Sequence, residues 1–428
     1  MVLRLGAKST NSPFYQCQCQ RKKYELHRLN KYSLVRYGEG FYSVYELLQP
    51  IAQILRLHLL GRVESVWRLL HFEFNDSNFR RRNGVQPHKP FFIRACSIFA
   101  EIFFNHSGGK VYDVGVLQSF ISSHGDAWGN TLTILTQFVE HLLSHKQDMP
   151  KHLTTIPALM DVAENGIPAE FGELIHGLHL EMARLLGQRT AELHRALASN
   201  GEDSTWGMEA FSTLYQRSIF QSMRGLVQRN FQTLTEQLPS LPDDEKQRAT
   251  QILAAEKEII AFLHKITGTR LLANKSRIHG DFHLCQALFT GKDFVFIDFE
   301  GEPVHSLSGR RLKRSPLLDV AGMIRSFHYA AMTALAHHGA TNPEDVQMLE
   351  PWLEAWSVYV SGSYLHTYIA AMKGSKLIPE DRDELTLMVR CFLMQKVISE
   401  LGHELSQHNS IDISLRGIEM LLRECRSG

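Results

Sequence analysis

The chain has 428 residues, 44% apolar and 21% charged, an ordinary globular composition that sets aside disordered and collagenous classes. Its net charge of +1 supplies no overall field for nucleic acid or anionic lipid, so neither partner is expected. No apolar run reaches the roughly 18 residues a membrane span needs. Nor is there a signal-type h-region or a cysteine framework among six scattered cysteines, which points to a reducing cytoplasm and two or three domains, or one two-lobed unit.

The first 110 residues carry roughly ten more Lys and Arg than Asp and Glu, a basic bias that the rest offsets. Cys17 and Cys19 have no second pair at zinc-ligand spacing, and Arg80–Arg82 reads as a solvated turn, since no aromatic platform interleaves with it. "RYGEGFYSVYE", from Arg36, has the glycines of a nucleotide loop, but no lysine lies between Lys31 and Lys89, and a kinase-type loop needs a phosphate lysine one strand later. A turn between irregular segments is therefore expected.

From Val111 the pattern becomes regular. Val114–Ile121 alternates as a strand does. Between Gly125 and Leu143, the residues Leu132, Leu135, Phe138, Val139 and Leu142 share one helical face. A long helix is expected over 171–198, with Leu178, Met182, Leu185, Leu186, Leu193 and Leu197 buried. Further helices are expected at about 207–237 and 243–266. Period then switches: "ALF" and "FVFIDF" flank a Gly291–Lys292 turn, the pattern of a hairpin. "SPLLDVAGMIRSFHYAAMTAL" resumes helix, with Ser315 at the N-cap, Pro316 at the first helical position and Asp319 near the positive end.

The hairpin stretch carries the chemistry. "RIHGDFHLCQALFTGKDFVFIDFEGEP" sets Asp281 and Asp298 seventeen residues apart with Gln286 between them. A hairpin brings residues at its open end together, so the three can converge. Phosphoryl transfer needs one carboxylate for the attacking hydroxyl, and a carboxylate plus an amide oxygen for Mg²⁺. Competing motifs are weaker. "HGLHLE" (His176, His179) offers no third metal ligand. In "HELSQH", His403 and His408 stand five apart, so they do not share a helix face. No G-x-S-x-G occurs, which removes the usual esterase elbow.

"HGDFHLCQ" followed by "IDFEGEP" resembles the aminoglycoside-phosphotransferase-like kinases, and more narrowly the maltokinases, including the maltokinase-like segments fused to trehalose synthases. "VLQSFISSHGDAW", "LLGQRTAELHRAL", "SPLLDVAGMIRSFHYAA", "KVISELGHEL" and "ISLRGI" extend the likeness over roughly 114–420. The resemblance implies an α+β, protein-kinase-like fold with an atypical or degraded N-terminal lobe (1–113), a hinge (114–123) and a large, mostly helical C-terminal lobe (124–428). It implies ATP and Mg²⁺ as cofactors and phosphorylation of maltose to maltose 1-phosphate, with trehalose synthase as a possible partner. Asp281 would be the base and His279 the brace of its loop. Gln286 and Asp298 would bind metal, and Leu117, Gln118 and Phe120 would form the adenine hinge. Asp319 would accept backbone N–H groups of the catalytic loop. His283, Glu300, Trp356 and Tyr364 would contact sugar, with Trp352 and Tyr359 beside them unless these aromatics are core. The family's phosphate lysine and its glutamate partner have only Lys89, at the start of a "KPFFIRAC" strand, and Glu101, on a "SIFAEIFF" helix, as candidates. A non-catalytic sugar-binding or docking module, or a kinase for another hydroxyl substrate, remains the alternative.

Overall fold

A computed structural model of the chain describes residues 121–145, 156–175, 177–198, 206–268, 270–302 and 305–427, together with the backbone of six strands that precede them. The chain divides into two compact units, Met1–Ser122 and Ser123–Gly428.

In the first unit the strands are β1 (Val2–Leu5), β2 (Glu25–Leu29), β3 (Tyr32–Tyr37), β4 (Gly40–Ser43), β5 (Ile98–Asn105) and β6 (Val111–Gln118). They form two antiparallel sheets, ordered β1-β6-β5 and β2-β3-β4. Two expectations are corrected. Gly40 of "RYGEG" opens β4 and pairs with Tyr37 of β3, so strands, not irregular segments, flank this stretch. "IFAEIFF" is strand, which places Glu101 opposite Val116; Ile and Phe recur there, and β-branched and aromatic residues suit a pleated surface better than a helix. Lys89 and the Cys17–Cys19 pair lie outside the described residues.

The second unit is helical. Its helices are α1 (Ala127–Ser144), α2 (Leu159–Asn165), α3 (Ala169–Leu174), α4 (Gly177–Leu197), α5 (Thr213–Gln237), α6 (Asp243–Ala254), α7 (Glu256–His264), α8 (Leu307–Arg310), α9 (Leu317–Gly339), α10 (Val346–Met372), α11 (Arg382–Gln407) and α12 (Asp412–Ser427). Two short ribbons join them: β7 (Glu209–Ala210) with β8 (Asn274–Lys275), and β9 (Ala287–Phe289) with β10 (Phe294–Phe296). No described helix is long and apolar enough to cross a membrane. Asp126, Ser212 and Asp381 cap α1, α5 and α11, each accepting a backbone N–H three residues on, which satisfies donors that a helix start leaves open.

Helix α9 lies at the centre, against α1, α10 and α11, while α10 also packs on α2 and α4. Both α9 and α10 are buried on nearly every face, as helices apolar all round must be. The expected long helices are shorter. The 171–198 segment breaks between Leu174 and Gly177, and Leu178 is 71% exposed. Leu186 and Leu193 are buried as expected, with Leu180, Ala183 and Thr190 beside them, while Met182, Leu185 and Leu197 are half-buried. The 207–237 segment starts at Thr213, because Glu209–Ala210 pair with β8, and 243–266 breaks at Ala255. Helix α9 begins one residue late: Pro316 is its N-cap, and Ser315 Oγ accepts the Leu317 N–H at 3.3 Å.

Where α4 crosses α10, Gly187 lies against the Tyr364 carbonyl so closely that a methyl group would collide with backbone. Gly187→Ala is therefore expected to destabilise by about 1–3 kcal/mol, the usual cost of overpacking. Urea unfolding checks this, and an unchanged midpoint would contradict the close crossing.

Between α9 and α11 lies a buried polar cluster. Arg325 donates through Nε and Nη2 to Glu400 Oε2 at 3.0 and 2.8 Å, and Tyr329 OH donates to Glu404 Oε1 at 3.1 Å. Arg325 balances Glu400, while burial, with Glu400 adding to it, pushes the Glu404 carboxyl up to about 8. The folded protein thus holds a proton there that the unfolded chain releases near the ordinary value of about 4.5. Stability from this group is complete below that value and lost as pH rises through about 8, since stability falls wherever the folded state binds more protons. Glu404→Gln should match the parent near pH 5 and exceed it increasingly up to pH 8, by as much as a few kcal/mol. A stability difference that stays flat with pH would refute this.

Candidate active site

The β9–β10 ribbon is a three-pair hairpin, Phe289 facing Phe294 and Ala287 facing Phe296. Its turn needs Gly291, at φ +91°, where a Cβ would be strained. Asp293 fixes the turn. It accepts its neighbour Phe294's N–H at 2.9 Å and binds Arg189 of α4 through both carboxylate oxygens, at 2.8 and 3.2 Å. At the open end, Ile297 N–H donates to the Gln286 carbonyl at 3.0 Å. Gln286 Nε2 then reaches Asp298 Oδ2 at 3.4 Å. Asp298 itself has φ +72°, a left-handed conformation uncommon outside Gly, Asn and Asp. Strain of this kind concentrates where a side chain must be aimed.

The segment 279–284 runs along one face of α9. Asp319 accepts the N–H groups of His279 and Gly280 at 2.7 and 2.9 Å. One turn on, Gly322 lies against the Phe282 carbonyl. One further turn on, Ser326 Oγ accepts the Leu284 N–H at 3.2 Å. Behind Asp319, His194 of α4 places Nε2 at 3.1 Å from Oδ2, and its Nδ1 meets Tyr368 OH of α10 at 3.0 Å. Carboxylate only accepts, so His194 Nε2–H donates. Asp319 and His194 are 2% and 0% exposed, and the carboxylate is held by three donors, as a buried charge requires. Asp319 thus accepts backbone N–H groups of the loop, as the resemblance implies.

His279 bridges loop and ribbon. Its Nε2 lies 2.9 Å from the Ile297 carbonyl, its Nδ1 3.4 Å from Asp281 N, and its ring 4.8 Å from that of Phe299. A carbonyl cannot donate, so Nε2 carries the proton and Nδ1 accepts the Asp281 N–H. Burial pulls its pKa down, against the pull of Asp319 and the Ile297 carbonyl, so the neutral tautomer persists. Asp281 follows His279 closely, and Asp298 stands between the two residues His279 touches. The ring therefore ties the segment that carries Asp281 to the segment that carries Asp298.

Around Asp281, His283 Nε2 lies 3.7 Å from Oδ1. Burial pushes the Asp281 carboxyl up, but His283 and the charge of Lys396 outweigh it and hold the group well below the ordinary carboxylate range. Lys396, on α11, has Glu302 Oε1 at 3.4 Å; although burial lowers its pKa, Glu302 and Asp281 raise it further, so it stays charged. The sequence reading missed Lys396 and His194. Both sat inside quoted motifs, but nothing local distinguishes a buried lysine or histidine from an exposed one.

The other site candidates fall elsewhere. Glu300 is exposed, and Glu302, two residues on, is the carboxylate that meets Lys396. Trp356 and Tyr364 are 1% and 0% exposed within α10, and Tyr364 stacks on Tyr368. Trp352 and Tyr359 both pack against Phe171. These aromatics are core, which corrects their reading as sugar contacts: a ring enclosed by helices offers no face to a ligand. Leu117 and Gln118 lie in β6, the middle strand of its sheet, and Phe120 lies outside the described residues. Among the described residues no three His, Cys, Asp or Glu side chains form a metal cage.

No protein-family model matches the chain. A glucosamine kinase of Streptacidiphilus jiangxiensis is 26% identical over 204 residues, 46% of this chain and 40% of that protein. A glucosamine kinase of Mycolicibacterium smegmatis (strain ATCC 700084 / mc(2)155) is 34% identical over 88 residues, 20% of this chain and 21% of that protein. The matches thus span less than half the length of these curated relatives. Among solved structures, a glucosamine kinase in complex with glucosamine, ADP and inorganic phosphate superposes with a TM-score of 0.51 at 17% identity, covering 82% of this chain and 67% of that one. A second crystal form of glucosamine kinase gives 0.51 at 18% identity, covering 82% and 70%. The chain shares its fold with these sugar kinases.

Proposed function

We propose that this chain is a sugar kinase that transfers the γ-phosphoryl group of ATP to a sugar hydroxyl. The observation that carries the reading is the placing of Asp281, 3.7 Å from His283, on a loop pinned by Asp319 and joined through His279 to the ribbon that bears Asp298. In the reaction the sugar oxygen forms a bond to γ-phosphorus as the bond to the β-phosphate oxygen breaks. The hydroxyl proton passes to Asp281, and ADP leaves. So acidic a carboxylate is a weak base, which suits a loose transition state where orienting the hydroxyl matters more than early proton removal. Lys396 and His283 keep Asp281 charged, and the neutral His279 fixes the loop without adding charge of its own.

Gln286 and Asp298 are the residues that would hold Mg²⁺. They fit it in donor chemistry, two hard oxygens left to be completed by phosphates and water, once the Gln286 amide presents Oε1 in place of Nε2. When bound, the ion would supply positive charge against the phosphates. Adenine contact at the β6 end, through Leu117, Gln118 and Phe120, remains part of the proposal.

The motif resemblance makes maltose the acceptor and maltose 1-phosphate the product, in a route shared with a trehalose synthase. Glucosamine is the second reading, supported by the names of the relatives. Maltose is placed first because the motif resemblance points to it. The test is ADP release by the full chain with Mg·ATP and maltose, glucosamine, glucose or an aminoglycoside, with the products identified by mass spectrometry. Maltose is expected to give the highest kcat/KM. A higher value for glucosamine would move the assignment to the second reading. Raised melting temperature with maltose but no turnover would make the chain a binding module, and no response to any sugar would overturn the proposal.

A further inference from the structure

A cavity lies beside the segment that leads into the 279–284 loop. It measures about 560 Å³, and Lys275, Arg277, Arg311, Lys313 and Arg314 line it with a single carboxylate, Glu209. This is within the size range of small-molecule sites, and its charge excess is local, since the whole chain carries only +1. Folding has gathered these cations from two segments. Ser276 and Arg314 pair through both backbone N–H groups, at 3.0 and 2.8 Å, which sets 275–277 beside 311–314. Bringing like charges together costs energy that a bound anion would return.

The cations are held in fixed places. Glu209 receives Lys275 Nζ at 2.7 Å and Lys313 Nζ at 3.0 Å, and Lys275 also lies 4.6 Å from the Tyr215 ring centre. The Arg277 guanidinium sits 5.5 Å from the Trp206 ring centre, a cation–π contact that orients its plane. Burial, and after it the charge of Arg311, lowers the Arg277 pKa, a sign of crowded positive charge. Three guanidinium groups offer the forked donors that match phosphate oxygens in pairs. The volume exceeds what one phosphate fills, leaving space for an organic group against the walls from α5 and α11.

We propose that this cavity binds a phosphorylated small molecule, a phosphomonoester of sugar size, at a place separate from the catalytic cluster. The two share elements. Arg277 lies two residues before His279, while Leu318 and Gln395, which also line the cavity, adjoin Asp319 and Lys396. A ligand there bears on the segments that position the loop, so the site is placed to regulate it.

Calorimetric titration of the full chain at constant ionic strength tests the proposal without relying on turnover, so its failure is distinct from failure of the kinase reading. Glucose 6-phosphate, inorganic phosphate and glucose are the probes. Glucose 6-phosphate is expected to bind one to one, and Arg311→Glu, a change at an exposed position, to weaken it at least tenfold. Arg277→Gln, expected to weaken it in the same direction, serves should that variant fail to fold. Tighter binding of the ester than of free phosphate supports the sugar-sized ligand; equal binding keeps the anion site but overturns the ester. Binding that survives both substitutions, equal binding of glucose, or no saturable heat overturns the site.

Discussion

Asp281→Asn is expected to lower kcat for sugar phosphorylation at least about a hundredfold, the usual scale of a lost general base, with little change in the melting temperature. The variant keeps the shape and both hydrogen-bonding positions of the side chain. It removes the charge that His283 and Lys396 hold in place. The amide can still touch a hydroxyl but cannot take its proton, so the loss should fall on kcat more than on KM. Because the parent carboxyl is held well below its ordinary range, the pH–rate profile should show no decline around pH 4–5 attributable to this group, as far as the fold survives. ADP release measured beside circular dichroism checks both points. Equal turnover in the two proteins would remove Asp281 from its assigned role.

Asp319→Ala should cost about 3–5 kcal/mol, the range for removing one partner from a buried charged network. The substitution strands the N–H groups of His279 and Gly280 and leaves His194 Nε2 without its acceptor. Each stranded buried donor loses water without gaining a partner. Asp319→Asn should cost less, since one oxygen remains, although its NH₂ then faces donors. Urea unfolding with the slope held constant reads the difference. An Asp319→Ala midpoint near the parent's would mean that the loop finds other acceptors. Activity should fall in both variants with the order of stability preserved, because a loosened loop misplaces Asp281 before it unfolds.

Much of this centre is visible in the sequence because its parts are local. The hairpin shows in the change from helical to alternating period, and Gly291 marks the turn. Gln286 and Asp298 flank the hairpin, and it brings them together. Long-range contacts leave no such trace. His194 and Asp319 meet across 125 positions, and a histidine on a helix that also carries polar residues looks like a surface group. Trp356 and Tyr364 misled for the opposite reason. A helix buried on all sides has no amphipathic stripe, so its aromatics cannot be sorted by periodicity into core and site. Leu178 looked buried because leucines recur around it, whereas Thr190 and His194, satisfied by hydrogen bonds, occupy the inner face. In the first unit, the family resemblance puts Glu101 on a helix, while cross-strand pairing with Val116 sets it in β5.

Asp319, Gly322 and Ser326 hold the 279–284 segment at successive turns of α9, so the helix acts as a ruler for the loop's shape. Each residue along an α-helix advances the direction of its side chain by about 100° and its position by about 1.5 Å. Exchanging side chains elsewhere on α9 would leave the marks of the ruler where they are. Adding or deleting one residue between Asp319 and Ser326 would instead turn one anchor away from the loop while the other stayed in register. Length, more than composition, is what this stretch of helix has to conserve for the loop to keep its form.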